Sequence, residues 1–302
     1  MFLLTDPIAT LLRRAVLGCA MLGFSAPVLL PAAMAQEAAE VQAVPAEVSG
    51  QVAGLVETMQ IGQIIEVLRQ EGLDYGQTLE DDMFPGAGGP GWMATVGLIY
   101  DGARMQDAFV ASLERELAAN PAGIAEMQAF FASDLGQQVL TLELEARRAL
   151  LDDATEEGAK AAWAELQGSE GARLDLLERF SATNDLIESN VMGALNSNLA
   201  FYQGMTEGGA FGQDMTEDQM LAEVWGQEAD IRNQTADWLF PYLTLAYGPL
   251  SDEDLGRYIA FSASPAGQQL NAALFAAFDD VFTPISKALG VAVARQMQGQ
   301  DI

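Results

Sequence analysis

Phe130 to Val139 reads FFASDLGQQV, and 131 residues later Phe261 to Leu270 reads FSASPAGQQL. The shared frame, Phe-x-x-Ser-x-x-Gly-Gln-Gln, restricts the fold more than any other feature of the chain. A serine just after an apolar helical face, followed by a favourable first-turn residue, reads as a helix N-cap. Each copy therefore predicts a corner between two helices. Ser133 and Ser264 are the expected caps, with Asp134 or Pro265 in the first helical position. Gly136 and Gly267 fall about one turn further in, where glycine costs roughly 1 kcal/mol of helix propensity against alanine. The return expected is close approach of another helix or of the preceding Phe130 or Phe261. Caps and core aromatics account for every motif position except Gln137, Gln138, Gln268 and Gln269. A polar ligand pocket built from the serines and glutamines is the functional alternative to a structural corner. Serine as a nucleophile is disfavoured, since the chain has no histidine to activate it.

The echo extends beyond the motif. At the same offset Phe240 meets Phe109, Leu255 meets Ile124, Tyr258 meets Met127, and Ser251 meets Asn120. Asn120-Pro121 and Ser251-Asp252-Glu253-Asp254 both read as helix starts, the second with acids on the positive end of the helix dipole. Apolar residues recur at three and four, and the period-two alternation of strands is scarce. Val96, Ile99, Tyr100, Ala103, Phe109 and Leu113 predict one long helix. The expected fold is an all-α helical bundle of two related helical units, an internal duplication, over 51–167 and 172–298. Pro85 to Gly91, PGAGGPG, contains a literal G-x-G-x-x-G. No strand precedes it and Pro90 interrupts it, so it reads as a flexible connector.

The first 35 residues read as a cleavable signal peptide. Arg13 and Arg14 precede an apolar run that ends at Ala33-Met34-Ala35. Leu17-Gly18-Cys19 follows the arginines too closely for a lipoprotein site, and the arginine pair only partly fits a twin-arginine signal. Residues 36–50 read as a flexible leader. Loss of the signal removes the one cysteine and leaves 42 acids against 12 bases, a net charge of −30 compared with −29 for the whole chain. Such a charge disfavours nucleic acid and anionic lipid. With neither histidine nor cysteine in the mature chain, Ser-His-Asp triads, cysteine nucleophiles and His/Cys zinc sites are excluded.

Ser251-Asp252-Glu253-Asp254-Leu255, then Tyr258, Phe261 and Ser264-Pro265-Ala266-Gly267-Gln268-Gln269, resembles the exported bacterial family called domain of unknown function twenty-fifty-nine. Its pattern is a capped helix, then Phe-Tyr-x-Ser-Pro-x-Gly, then an amphipathic helix. The resemblance covers roughly 190–298. The first copy departs from it, with Asp134 for the proline and Asn-Pro for the acidic cap. The resemblance implies an all-helical exported protein of Gram-negative bacteria and brings no catalytic residue.

The expected function is accordingly a non-enzymatic periplasmic binding or protein-interaction protein without cofactor or metal. Its partner is an envelope protein or a small ligand, and its mature chain has no membrane span. A cleft between the two units is the expected site, with Trp92, Trp225, Trp238, Met83, Met93, Met205, Met215 and Met220 as candidate lining. The alternative is a carboxylate-only hydrolase acting on cell-wall glycan. No acid stands out for it at this stage; Glu143 and Arg147, at i,i+4 spacing, read as a surface ion pair. A third reading is an acidic, calcium-binding envelope protein.

Overall fold

A computed structural model describes residues 44–169, 171–211 and 215–299. The expected signal peptide lies outside the described residues, as does the leader up to residue 43. Every regular element among the described residues is helical. The first half runs through α1 (Ala46–Thr58), α2 (Ile61–Met83), α3 (Gly89–Ile99) and α4 (Gly102–Ala118). A short 3-10 turn, Pro121–Gly123, leads to α5 (Ile124–Phe131), α6 (Asp134–Ala149) and α7 (Asp153–Gln167). The second half contains α8 (Ala172–Thr183), α9 (Leu186–Glu207), α10 (Glu217–Gly226), α11 (Glu228–Tyr247), α12 (Asp252–Ser262) and α13 (Pro265–Met297).

Three boundaries differ from the sequence reading, each for a local reason. The leader assigned to 36–50 is helical from Ala46, because Val48 and Val52 face the core. The long helix expected from Val96 to Leu113 is broken at Tyr100-Asp101. Asp101 is extended and its carboxylate accepts a hydrogen bond from the Arg104 amide at 2.9 Å, so a capping aspartate restarts the helix inside an apolar run. Asn120 makes no side-chain cap, and the 3-10 turn intervenes before α5. The connector PGAGGPG is also more ordered than its composition suggests. Gly88 and Gly89 donate their amides to the buried Glu80 carboxylate at 3.1 and 3.2 Å, and α3 starts at Gly89. A carboxylate at the first amides of a helix satisfies donors that have no intrahelical partner.

The cores do not respect the midpoint of the chain. The larger one gathers α1 to α5 around α13, with Phe109, Leu113 and Leu117 packed against Ala273, Phe278 and Val281. The second gathers α6 and α7 with α8, α11 and α12. Each half therefore sends its last helices into the core of the other. Phe130 and Phe261 pack against both cores.

The longest helix contact, α9 against α13, depends on glycine. A Cβ on Gly204 would lie 2.0 Å from the Lys287 carbonyl oxygen, and one on Gly290 would lie 2.2 Å from that of Phe201. The two backbones touch directly.

Candidate functional site

The repeated motif forms two matching corners. Ser133 Oγ accepts from the Gly136 amide at 3.1 Å, and Ser264 Oγ accepts from the Gly267 amide at 3.1 Å. A Cβ on Gly136 would fall 2.2 Å from the Phe130 carbonyl oxygen, and one on Gly267 would fall 2.1 Å from that of Phe261. The second helix of each corner presses against the last turn of the first, and only glycine leaves the space.

The glutamines left over by the sequence reading have partners here. Gln137 Nε2 donates to the Phe131 carbonyl at 2.7 Å and to the Thr58 carbonyl at 3.0 Å. Gln268 Nε2 donates to the Ser262 carbonyl at 2.7 Å and to the Thr183 carbonyl at 2.9 Å. Thr58 and Thr183 end α1 and α8, so each glutamine ties two helix C-termini whose carbonyls lack intrahelical donors. Gln269 Nε2 donates to the Asn120 carbonyl at 2.7 Å and joins the halves. Gln138 is exposed. The motif thus brings backbone carbonyls together, and three of its four glutamines are committed to them.

Glu143 is a correction to the sequence reading. It is 5% exposed, and Arg147 forms instead a bidentate pair with Glu71 of α2, at 2.8 and 2.7 Å. Tyr247 and Tyr258 donate their hydroxyls to Glu143 Oε1 at 2.6 and 3.2 Å. Burial pushes the Glu143 carboxyl up to about 7, and the two tyrosine hydrogen bonds offset part of that rise. Burial, and then the charge of Glu143, in turn push both phenols well above their ordinary value. The i,i+4 spacing to Arg147 concealed this. It gave a surface explanation for an acid whose neighbours Val139, Leu140 and Leu144 already marked that side of α6 as buried.

A pocket opens where the halves meet, between α2, α9 and α13 and beside Tyr100 at the end of α3. Its walls carry six aromatic rings, Tyr75, Tyr100, Phe201, Phe275, Phe278 and Phe282. The cavity measures about 50 Å³. Tyr75, Phe201 and Phe278 are buried, whereas Phe275, Phe282, Asp279 and Ser286 are half-buried and form the mouth. Tyr75 is 5% exposed and its hydroxyl has no hydrogen-bond partner. Burial and the neighbouring Tyr100 raise its phenol far above the ordinary range. An unpaired hydroxyl sealed from solvent carries a desolvation penalty of roughly 1–3 kcal/mol.

None of the tryptophans or methionines expected to line a cleft lines this pocket. Trp92 is fully buried against Phe84 and donates Nε1 to the Gly76 carbonyl at 2.8 Å. Trp238 stacks on Tyr242, and Trp225 is exposed on α10. The signal available for the pocket was Phe275, Phe278 and Phe282, spaced three and four apart on one face of α13. Such spacing reads equally as core. Among the described residues, no group of three or more carboxylates is placed to hold a metal ion, and no helix is long and apolar enough to cross a membrane.

Residues 103–165 match a bacterial family described as "Uncharacterized protein conserved in bacteria (DUF2059)". The match runs from α4 to α7 and contains the first corner, with Ser133 and Asp134. The resemblance read from the sequence lay over 190–298, on the second corner. No curated protein and no solved structure matches the chain.

Proposed function

We propose that this chain is an exported, periplasmic binding protein of Gram-negative bacteria that uses the aromatic pocket between its halves as the ligand site. One observation carries the reading: a cavity walled by six aromatic rings opens where the two halves of the chain meet. A concave, mostly apolar site with a few polar groups at its edge is the usual form of a small-molecule pocket. The remaining polar machinery of the repeat is spent on its own backbone. A panel of small molecules screened by thermal shift tests the reading. A hit is expected to stabilise the protein and to lose its effect in Phe282→Ala, which removes a half-buried ring from the pocket wall; a panel without any stabilising compound counts against it. Export is checked separately, by N-terminal sequencing of the protein recovered from periplasm, with Gln36 as the expected first residue.

The same proposal takes the halves as two copies of one helical unit, the second extending to residue 298. Its supports are the matching serine caps, glycine contacts and glutamine ties. Gln60 and Asp185 add to these, as the described non-glycine residues with positive φ, +56° and +50°, each between a unit's first and second helix.

A second reading, the carboxylate-only hydrolase acting on cell-wall glycan, has Glu143 in its favour. A carboxyl raised to about 7 suits a general acid. Against it stand the tyrosines that enclose Glu143 and the engagement of Glu71, on the facing helix, with Arg147. A peptidoglycan zymogram with wild type and Glu143→Gln decides between the two readings.

A further inference from the structure

The aromatic pocket has a charge pattern that selects its occupant. Six rings line it, Asp279 stands at its mouth, and no lysine or arginine is among its lining residues. Asp279 Oδ1 accepts from Asn196 Nδ2 at 3.0 Å and from Thr283 Oγ1 at 3.4 Å, both neutral donors, and no salt bridge to its carboxylate is present among the described residues. The whole chain carries a formal charge of −29.

Resting on the binding role argued above, we propose that the pocket takes a small organic cation, a primary or methylated alkylammonium. Ring faces carry negative electrostatic potential and attract such a head group, most strongly where water is excluded. The Asp279 carboxylate supplies an acceptor for an N–H, or a counter-charge for a methylated head group. A cavity of about 50 Å³ admits the head group, with the stem running out past Phe275 and Phe282. An anionic ligand would meet a carboxylate and no compensating base. A wholly apolar ligand would gain nothing from that carboxylate.

Calorimetric titration of the full chain with butylammonium chloride and with its neutral counterpart 1-butanol tests the proposal. Two variants accompany the wild type: Asp279→Asn, and Glu145→Gln, an exposed acid on α6 that removes the same unit of charge away from the pocket. The ammonium is expected to bind wild type at least about tenfold more tightly than the alcohol. Asp279→Asn abolishes that preference, and Glu145→Gln preserves it. Equal affinity for the two ligands overturns the ammonium class and leaves the pocket as a binding site. A preference lost equally in Glu145→Gln means attraction by surface charge alone and also overturns it. If neither compound binds, and no member of the broader panel shifts the melting temperature, the binding role itself falls.

Discussion

Phe130 and Phe261, the same position of the two motif copies, lie face to face with ring centroids 3.9 Å apart and planes 3° from parallel. Each ring ends the short helix before its corner, so the copies meet through their own first residue. Stacked aromatic pairs contribute about 0.5–1.5 kcal/mol beyond the area they bury. A double-mutant cycle on Phe130→Leu and Phe261→Leu is expected to give a coupling energy in that range. Strictly additive losses in chemical denaturation would mean that the rings pack only on their own cores.

At the corners the two substitution types separate. Ser133→Ala and Ser264→Ala each remove one cap hydrogen bond and are expected to cost about 1 kcal/mol. Gly136→Ala and Gly267→Ala gain helix propensity, yet each places a Cβ about 2 Å from a carbonyl oxygen. Overpacking of that severity is expected to cost at least about 2 kcal/mol net. Urea melts that rank alanine at the glycines as the milder change would refute the close approach.

Gln268 ties the ends of α8 and α12 through two carbonyls. Gln268→Leu keeps the bulk and loses both donors, so about 1–2 kcal/mol of stability should disappear. Gln138→Leu, at the exposed glutamine of the first motif, should change stability by less than about 0.5 kcal/mol. Equal effects of the two would show that the ties contribute nothing.

Glu143 makes stability depend on pH in an unusual direction. Its carboxyl titrates near 7 in the folded chain against an ordinary 4.5, so between these values the folded state holds a proton that the unfolded state has lost. Stability from this group is fully present below pH 4.5 and is lost as pH rises through 7. The whole step amounts to roughly 3 kcal/mol. Tyr242, Tyr247 and Tyr258 face it from α11 and α12, and the Arg147–Glu71 pair lies beyond. Glu143→Gln cannot titrate. The difference between wild type and this variant, followed by denaturation from pH 4 to 8, should slope through that window. A flat difference would place the carboxyl back in the ordinary range.

Tyr75→Phe should stabilise the protein. Removing an unpartnered buried hydroxyl while keeping the ring is expected to raise the melting temperature, by the equivalent of about 1 kcal/mol. A lower melting temperature would reveal a partner for the hydroxyl within the fold.

Helix class was legible because it rests on local spacing, and so were the corners. Ser133 and Ser264 cap helices through atoms three residues away, which any reader of the chain can count. Gly136 and Gly267 were legible as exceptions to propensity. Glu143 was not legible, since its burial depends on Tyr247 and Tyr258, more than a hundred residues away in the chain, and the adjacent Arg147 supplied a false partner. Gln137 and Gln268 were unreadable for a similar reason, because half of each tie lies at Thr58 or Thr183.

By itself the sequence determined an acidic, helical chain with two serine corners, and it ruled out chemistry that needs histidine. Only the tertiary structure decided where the last helices of each half go. The α6–α7 pair completes the core of the second half, and α13 completes that of the first. An amphipathic helix specifies that one face must be buried and leaves open against which partner. That choice depends on the fit of surfaces brought together from distant parts of the chain, and the pocket around Tyr75 exists only because α13 crosses to the other side.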